Sequence, residues 1–147
     1  MFKHLLVPVD GSELSQRAMD ASIELALKLG ARLTGFVVEP DLPLALVSAN
    51  PDVFVERVGQ HQAKSEAHAH ALLGRFRSLA EAAGVGFDGD YTSAPQIDQA
   101  IAEAAERAGC DLIVMVTHGR GVFGELVFGS HSKGVMSRTK LPLLVLH

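Results

Sequence analysis

The sequence predicts an α/β fold, a three-layer open sandwich in which a parallel sheet is covered by helices on both faces. Three observations carry this. Short apolar runs alternate with longer amphipathic stretches along the whole chain, in the order β-α-β-α-β-α-β-α-β. The runs at 5–9 and 112–116 are continuously apolar, as in strands buried on both faces. Glycine and proline fall between the segments, and 147 residues is the usual size of one domain. We therefore expect a single domain over 1–147.

Each element has its own signal. Residues 5–9, Leu-Leu-Val-Pro-Val, form the first strand. Pro8 is tolerable there only where its missing N–H meets a gap, or where the strand is already leaving the sheet. Asp10, Gly11 and Ser12 make a turn, with Ser12 as N-cap and Glu13 in the first helical turn. Ala18, Ala21, Ile23, Leu25, Ala26 and Leu29 give the helix an apolar face, and Gly30 closes it. The second strand is 32–38. Residues 39–51 hold Pro40, Pro43 and Pro51 and read as a loop. A long helix is expected over 52–83, with Gly59 or Gly74 as places for a break or bend. The third strand is 85–92, with Phe87 and Tyr91 on one face. A helix starting at Ser93-Ala-Pro95 carries Ile97, Ala100, Ile101, Ala104 and Ala105 inward and ends at Gly109. The fourth strand is 112–117. A glycine loop follows, then a short helix over 130–139 and a last strand over 142–146.

Composition narrows the function. Charged residues are 20% of the chain and the net charge is −4. A nucleic-acid partner would call for a basic surface, so that class is set aside. Cys110 is the one cysteine, so no intrachain disulfide forms, and a reducing compartment fits. No apolar run approaches the ~18 residues of a membrane span, and the N-terminal run is too short for a signal-peptide core. We expect a soluble cytoplasmic protein with neither nucleic acid nor membrane as partner.

The chemistry converges on 114–132. The loop there contains Gly119, Gly121, Gly124 and Gly129 and re-enters a helix at Ser130. Such a loop lets backbone N–H groups approach an anion, and a helix start adds a positive dipole end. The letters G-R-G-V-F-G at 119–124 match a dinucleotide fingerprint, but no acidic residue follows Glu125, so hydride transfer is discounted. The spacing 124–130 resembles a P-loop without its lysine. Ser130 either caps its helix or also meets a phosphate. Asp10 makes an Asx-turn, or accepts hydrogen bonds from a ribose. His118 is a loop histidine with a structural bond, a phosphate donor or a general base. His61, His68 and His70 lack the i, i+4 pairing of a zinc site and read as a solvated helix face. No G-x-S-x-G elbow is present for a nucleophilic serine. Cys110 reads as a core residue.

Taken together and in order, these pieces resemble the universal stress protein family over essentially the whole chain. The pieces are L-L-V-P-V-D-G-S-E at 5–13, D-L-I-V-M at 111–115, T-H-G-R-G at 117–121, F-G-S at 128–130 and L-P-L-L-V at 141–145. The resemblance implies a five-stranded parallel sheet of order 3-2-1-4-5, the adenine nucleotide alpha hydrolase-like fold, and a homodimer through the last strand. ATP-binding members carry G-x2-G-x9-G-[ST]. Here Gly119, Gly129 and Ser130 match its later positions, and Val116 stands where the first glycine would be. The ligand contacts implied are Pro8, Val9 and Asp10 at the first strand end, with Asp10 on the ribose. Val37 and Met115 lie near the base, and Val116 lies beside the ribose. His118, Gly119, Arg120, Gly129, Ser130, His131 and Ser132 lie around the phosphates. Mg or Mn is expected only with the phosphates.

The leading expectation is a stress-response protein that binds ATP or a related adenine nucleotide as a regulatory ligand. No lysine, metal-site cluster or water-positioning acid is evident beside the cradle, so efficient turnover is not expected. The rivals are a dimeric interaction module of the family's non-nucleotide kind, motivated by Val116, and a slow ATP hydrolase. The last strand runs apolar to His147 with no charge to protect its edge, which favours pairing. Val122, Phe123, Leu126, Val127 and Phe128 add apolar surface for a ligand cover or an interface.

Overall fold

The computed structural model describes residues 1–41, 50–117 and 130–147, with Ser130 described in its backbone only. The order is β1 (His4–Pro8), α1 (Glu13–Leu29), β2 (Arg32–Glu39), α2 (Pro51–Ala82), β3 (Phe87–Ser93), α3 (Ile97–Arg107), β4 (Leu112–Val116), α4 (Ser130–Met136) and β5 (Leu143–Leu146). The strands form one five-stranded parallel sheet of order β3-β2-β1-β4-β5. This is the expected order.

Strand β1 lies at the centre because it is apolar on both sides. Leu5, Leu6 and Val7 are fully buried, and each such side chain contributes about 1.5–3 kcal/mol by burial. The two-residue alternation of a strand sends Leu5 and Val7 to one face and Leu6 to the other. On the first face they pack with Ala18, Met19 and Ile23 of α1 and Ala69, Leu73 and Phe76 of α2. On the second, Leu6 packs with Ile113 of β4, Ala100, Ile101 and Ala104 of α3, and Val135 of α4. The fold is therefore three layers, with α1 and α2 on one face and α3 and α4 on the other.

Helix ends follow local chemistry, with three departures from expectation. Gly30 takes the left-handed conformation, φ 62°, that ends α1. The first departure is α2, which runs unbroken for 32 residues; neither Gly59 nor Gly74 interrupts it. Its start is fixed by Asn50, whose side chain accepts a 3.0 Å hydrogen bond from the Asp52 N–H. Second, α3 starts at Ile97 rather than at Ser93. Ser93 is held in β3 by its register with Glu39, and Pro95 biases the residue before it toward extended backbone. Third, α4 ends at Met136 rather than at 139. The Arg138 and Thr139 N–H groups both close onto the Val135 carbonyl as the helix ends.

Candidate functional site

The site begins where the sheet comes apart. β1 stays paired with β2 up to Pro8 opposite Phe36, but its pairing with β4 stops at Leu6 opposite Ile113. Val9 N–H still donates to the Phe36 carbonyl at 2.9 Å. Successive N–H groups of a strand point to opposite sides. The N–H that Pro8 lacks would therefore have pointed toward β4, where no partner remains. Proline costs nothing there, and the strands diverge.

The divergence opens a cavity of about 410 Å³ at the carboxyl ends of the strands. From β1 the chain builds β2 and β3 to one side, while β4 and β5 lie on the other. That is the switch point at which open α/β sheets hold ligands. Pro8, Val9 and Asp10 line the cavity from β1, Phe36 and Val38 from β2, and Met115, Val116 and Thr117 from β4. Ser12, Leu14, Ser15 and Ala18 contribute from the α1 side, Ile97 and Ile101 from α3, and His131 and Ser132 from α4.

Asp10 is held by a local network. Its Oδ1 accepts from the Ser12 N–H and the Ser15 hydroxyl, each at 2.9 Å. The Ser15 oxygen in turn accepts from the Asp10 and Gly11 N–H groups at 2.8 and 3.0 Å. The Asx-turn reading of Asp10 is thus realised, and among the described residues these bonds fall on Oδ1. Burial works to raise the Asp10 pKa, but the bonds from Ser12 and Ser15 outweigh it and hold the carboxyl below its ordinary value. The group is an anion at neutral pH. Ser12 stands at the N-cap, yet its side chain makes no capping bond. Ser15, three residues on, reaches back to the loop instead, as the third helical residue does in a capping box.

Gly11 completes the turn. Its φ is 85°, and a Cβ there would lie 2.8 Å from His68 Nε2. His68 is anchored by Glu39, whose Oε1 lies 2.5 Å from Nδ1. His61 Nε2 bonds the Pro40 carbonyl at 3.0 Å, and the His70 ring lies edge-on to Tyr91. The three histidines read as a solvated face therefore tie α2 to β2, its following residue and β3.

On the α4 side, His131 Nδ1 lies 2.6 Å from Asp98 Oδ1. Ser132 is 1% exposed, and its hydroxyl has no hydrogen-bond partner among the described residues. Thr117 is buried and its Oγ1 lies 3.1 Å from His147 Nδ1. Cys110 is buried in the core, and burial pushes its thiol up to about 11.

Of the residues expected around a ligand, Pro8, Val9, Asp10, Met115, Val116, His131 and Ser132 come together at the cavity. Val37 does not line it. Strand alternation turns Val37 to the α1/α2 face, where it is fully buried, and leaves Phe36 and Val38 on the cavity wall. His118, Gly119, Arg120 and Gly129 lie outside the described residues, as do Gly121, Gly124 and the apolar residues Val122, Phe123, Leu126, Val127 and Phe128. Ser130 opens α4, its side chain undescribed. Ser15, Leu14, Ile97 and Ile101 were not anticipated. A hydroxyl at the third helical position is the one sequence signal that marks Ser15.

A parallel sheet of this order with a cleft at its switch point defines a doubly wound α/β protein. The sequence profile of the universal stress protein family matches residues 1–147, and the chain belongs to that family. It is 31% identical over 145 residues to a universal stress protein of Thermus aquaticus, covering 99% of this chain and 98% of that one. It is 27% identical over 147 residues to universal stress protein YxiE of Bacillus subtilis, covering 99% of each. Among solved structures, a universal stress protein in complex with cAMP superposes with a TM-score of 0.67 at 22% identity, over 99% of this chain and 97% of that one. An Arabidopsis thaliana family member with AMP bound superposes with a TM-score of 0.64 at 16% identity, over 98% and 90%. These likenesses show the shared fold. No helix among the described residues is long and apolar enough to cross a membrane.

Proposed function

We propose that this chain binds an adenine nucleotide, ATP or a close relative, in the switch-point cavity, as a regulatory ligand in a cytoplasmic stress response. The observation that carries this reading is the Ser132 hydroxyl, buried and without a hydrogen-bond partner among the described residues, in the wall of a cavity that also presents the Asp10 carboxylate. A buried polar group left unpaired costs about 1–3 kcal/mol, which a phosphate oxygen accepting from it would offset. Asp10 Oδ2 accepts from the ribose hydroxyls, and Val38 and Met115 offer apolar surface to the base. His131 and Ser132 of the cavity wall lie toward the phosphates, and a Mg or Mn ion enters with the phosphates. The cAMP and AMP bound by the two fold relatives support the choice of an adenine ligand. The protein acts by binding, without efficient turnover.

Calorimetry with ATP and AMP tests this. The expected result is saturable binding that weakens about tenfold or more in Asp10→Ala, the loss of a charged hydrogen-bond acceptor. Absence of binding at millimolar nucleotide sinks the reading.

A second reading rests on Val116. It lines the cavity at the position where nucleotide-binding relatives are expected to carry glycine, and it packs with the α1/α2-face cluster. In that reading the protein is a dimeric interaction module. A Val116→Gly variant that binds ATP where the parent does not would favour it. Equal binding by both removes Val116 as the determinant.

A further inference from the structure

Behind the Asp10 turn stands a His–Glu pair that lies outside the cavity wall. Glu39 is the last residue of β2, one past the cavity residue Val38. Strand alternation turns its side chain to the α1/α2 face, where the residue is 8% exposed. There its Oε1 lies 2.5 Å from Nδ1 of His68 on α2. An ionised carboxylate only accepts, so Nδ1 carries the proton and the neutral ring keeps a bare Nε2. That edge of the ring faces Gly11, where a Cβ would lie 2.8 Å from Nε2 and 3.5 Å from Cε1. A bare nitrogen suits a neighbour that offers only a C–H. Gly11 holds the left-handed conformation, φ 85°, on which the turn depends. From the α1 side, the Ser15 oxygen accepts from the Asp10 and Gly11 N–H groups. The turn is therefore held between Ser15 of α1 and the His68 ring of α2.

We propose that His68, held by Glu39, is a positioning residue for the ligand: its ring fixes the Gly11 turn in the form that presents the Asp10 carboxylate to the ribose. The proposal rests on the nucleotide reading above. It extends the ligand site to α2, which contributes no residue to the cavity wall among the described residues. A site on a loop is only as precise as the shell that supports it, and here that shell is one ring locked by one buried carboxylate.

The test uses the full chain and the variant His68→Asn. The asparagine amide can reach Glu39 as Nδ1 does, but it has no edge to set against Gly11. Calorimetry compares AMP with 2′,3′-dideoxy-AMP, which has no ribose hydroxyl to offer Asp10. AMP affinity falls about 3- to 10-fold in the variant, on the order of one hydrogen bond, while the dideoxy analogue binds parent and variant alike. In the ligand-free chain, the Asp10 carboxyl followed by NMR titrates higher in the variant, because the turn bonds that hold it low are loosened. A histidine that merely ties α2 to the sheet would weaken both ligands alike, or neither, and would leave the Asp10 titration where it was. Each of those results overturns the proposal. If the parent does not bind AMP at millimolar concentration, the nucleotide reading itself falls and takes this role with it. Parental binding of AMP with an unaltered His68→Asn variant overturns the positioning role alone.

Discussion

Gly35 shows how a single residue is dictated from a distance. It sits in the middle of β2, where a strand would ordinarily favour a branched side chain. A Cβ there would lie 2.7 Å from the Phe87 ring and 2.8 Å from the Phe76 ring. Those rings pack against each other at 4.8 Å between centroids, bringing α2 and β3 together over β2. Gly35→Ala should therefore overpack the α1/α2 face and lower unfolding free energy by about 1–3 kcal/mol. Urea denaturation reads this directly, and an unchanged midpoint would show that the rings move aside freely. The same scale explains what the sequence could and could not convey about the site. Asp10 was legible because its turn is local, with Oδ1 serving that turn. Asp98 was not legible, nor was it legible that the hydroxyl of Ser132, a residue the resemblance puts near the phosphates, would be buried without a hydrogen-bond partner among the described residues. Their meaning lies in contacts between α3, α4 and the strand ends, and no periodicity encodes those. Val37 is set apart from the cavity wall for a smaller reason. A shift of one residue along a strand exchanges the two faces, and that exchange separates the core residue Val37 from the cavity residues Phe36 and Val38.

At the scale of elements, the strands and helices were legible wherever a buried face imposed its period. α1 and α3 put alanines and isoleucines inward at helical spacing, and β1 from Leu5 on and the whole of β4 are apolar. The ends were less legible, because pairing partners decide them. Ser93 looks like a helix cap but is held in β3 by Glu39, and Ser12 stands at a cap position whose bonding is supplied by Ser15. Helix α2 argues the same point for its interior. Gly59 and Gly74 suggested a break, yet the helix is continuous, and its buried side chains Ser65, Ala69, Leu73, Phe76 and Ala80 hold it to the sheet. A Cβ at either glycine would meet nothing within 4 Å. With space free and backbone helical, alanine loses less conformational entropy on folding than glycine does. Gly59→Ala and Gly74→Ala should each stabilise the fold by about 0.5–1 kcal/mol. A thermal or urea unfolding series checks the direction; destabilisation at either site would mean that the glycine has a role in an interface or motion of α2.

At the scale of the whole molecule, one arrangement underlies both the cavity and the edge at which we propose that copies meet. Alternation of strands and helices made the parallel sheet legible, and family resemblance supplied the strand order. That order puts β1 and β4 side by side at the switch point, with β3 and β5 at the two edges. The edges differ in character. β3 has exposed Asp88 and Asp90, which engage Arg32 and Arg107. β5 is Leu-Leu-Val-Leu, half-buried along its length, with no charged side chain to discourage another strand. Exposed apolar edges pair unless something blunts them, so we propose that β5 joins two copies of the chain. Val145 is the residue with which to test this, because it is only partly buried and belongs to neither packed core cluster. Val145→Lys places a charge on the edge while leaving Leu143, Leu144 and Leu146 on the core. Sedimentation at micromolar concentration should show a dimer for the parent and a monomer for the variant, with the helical circular dichroism of both alike. A parent that sediments only as monomer removes the β5 interface. A variant that stays dimeric moves the interface elsewhere, and the unblunted edge of β5 would then have to be protected by another part of the same chain.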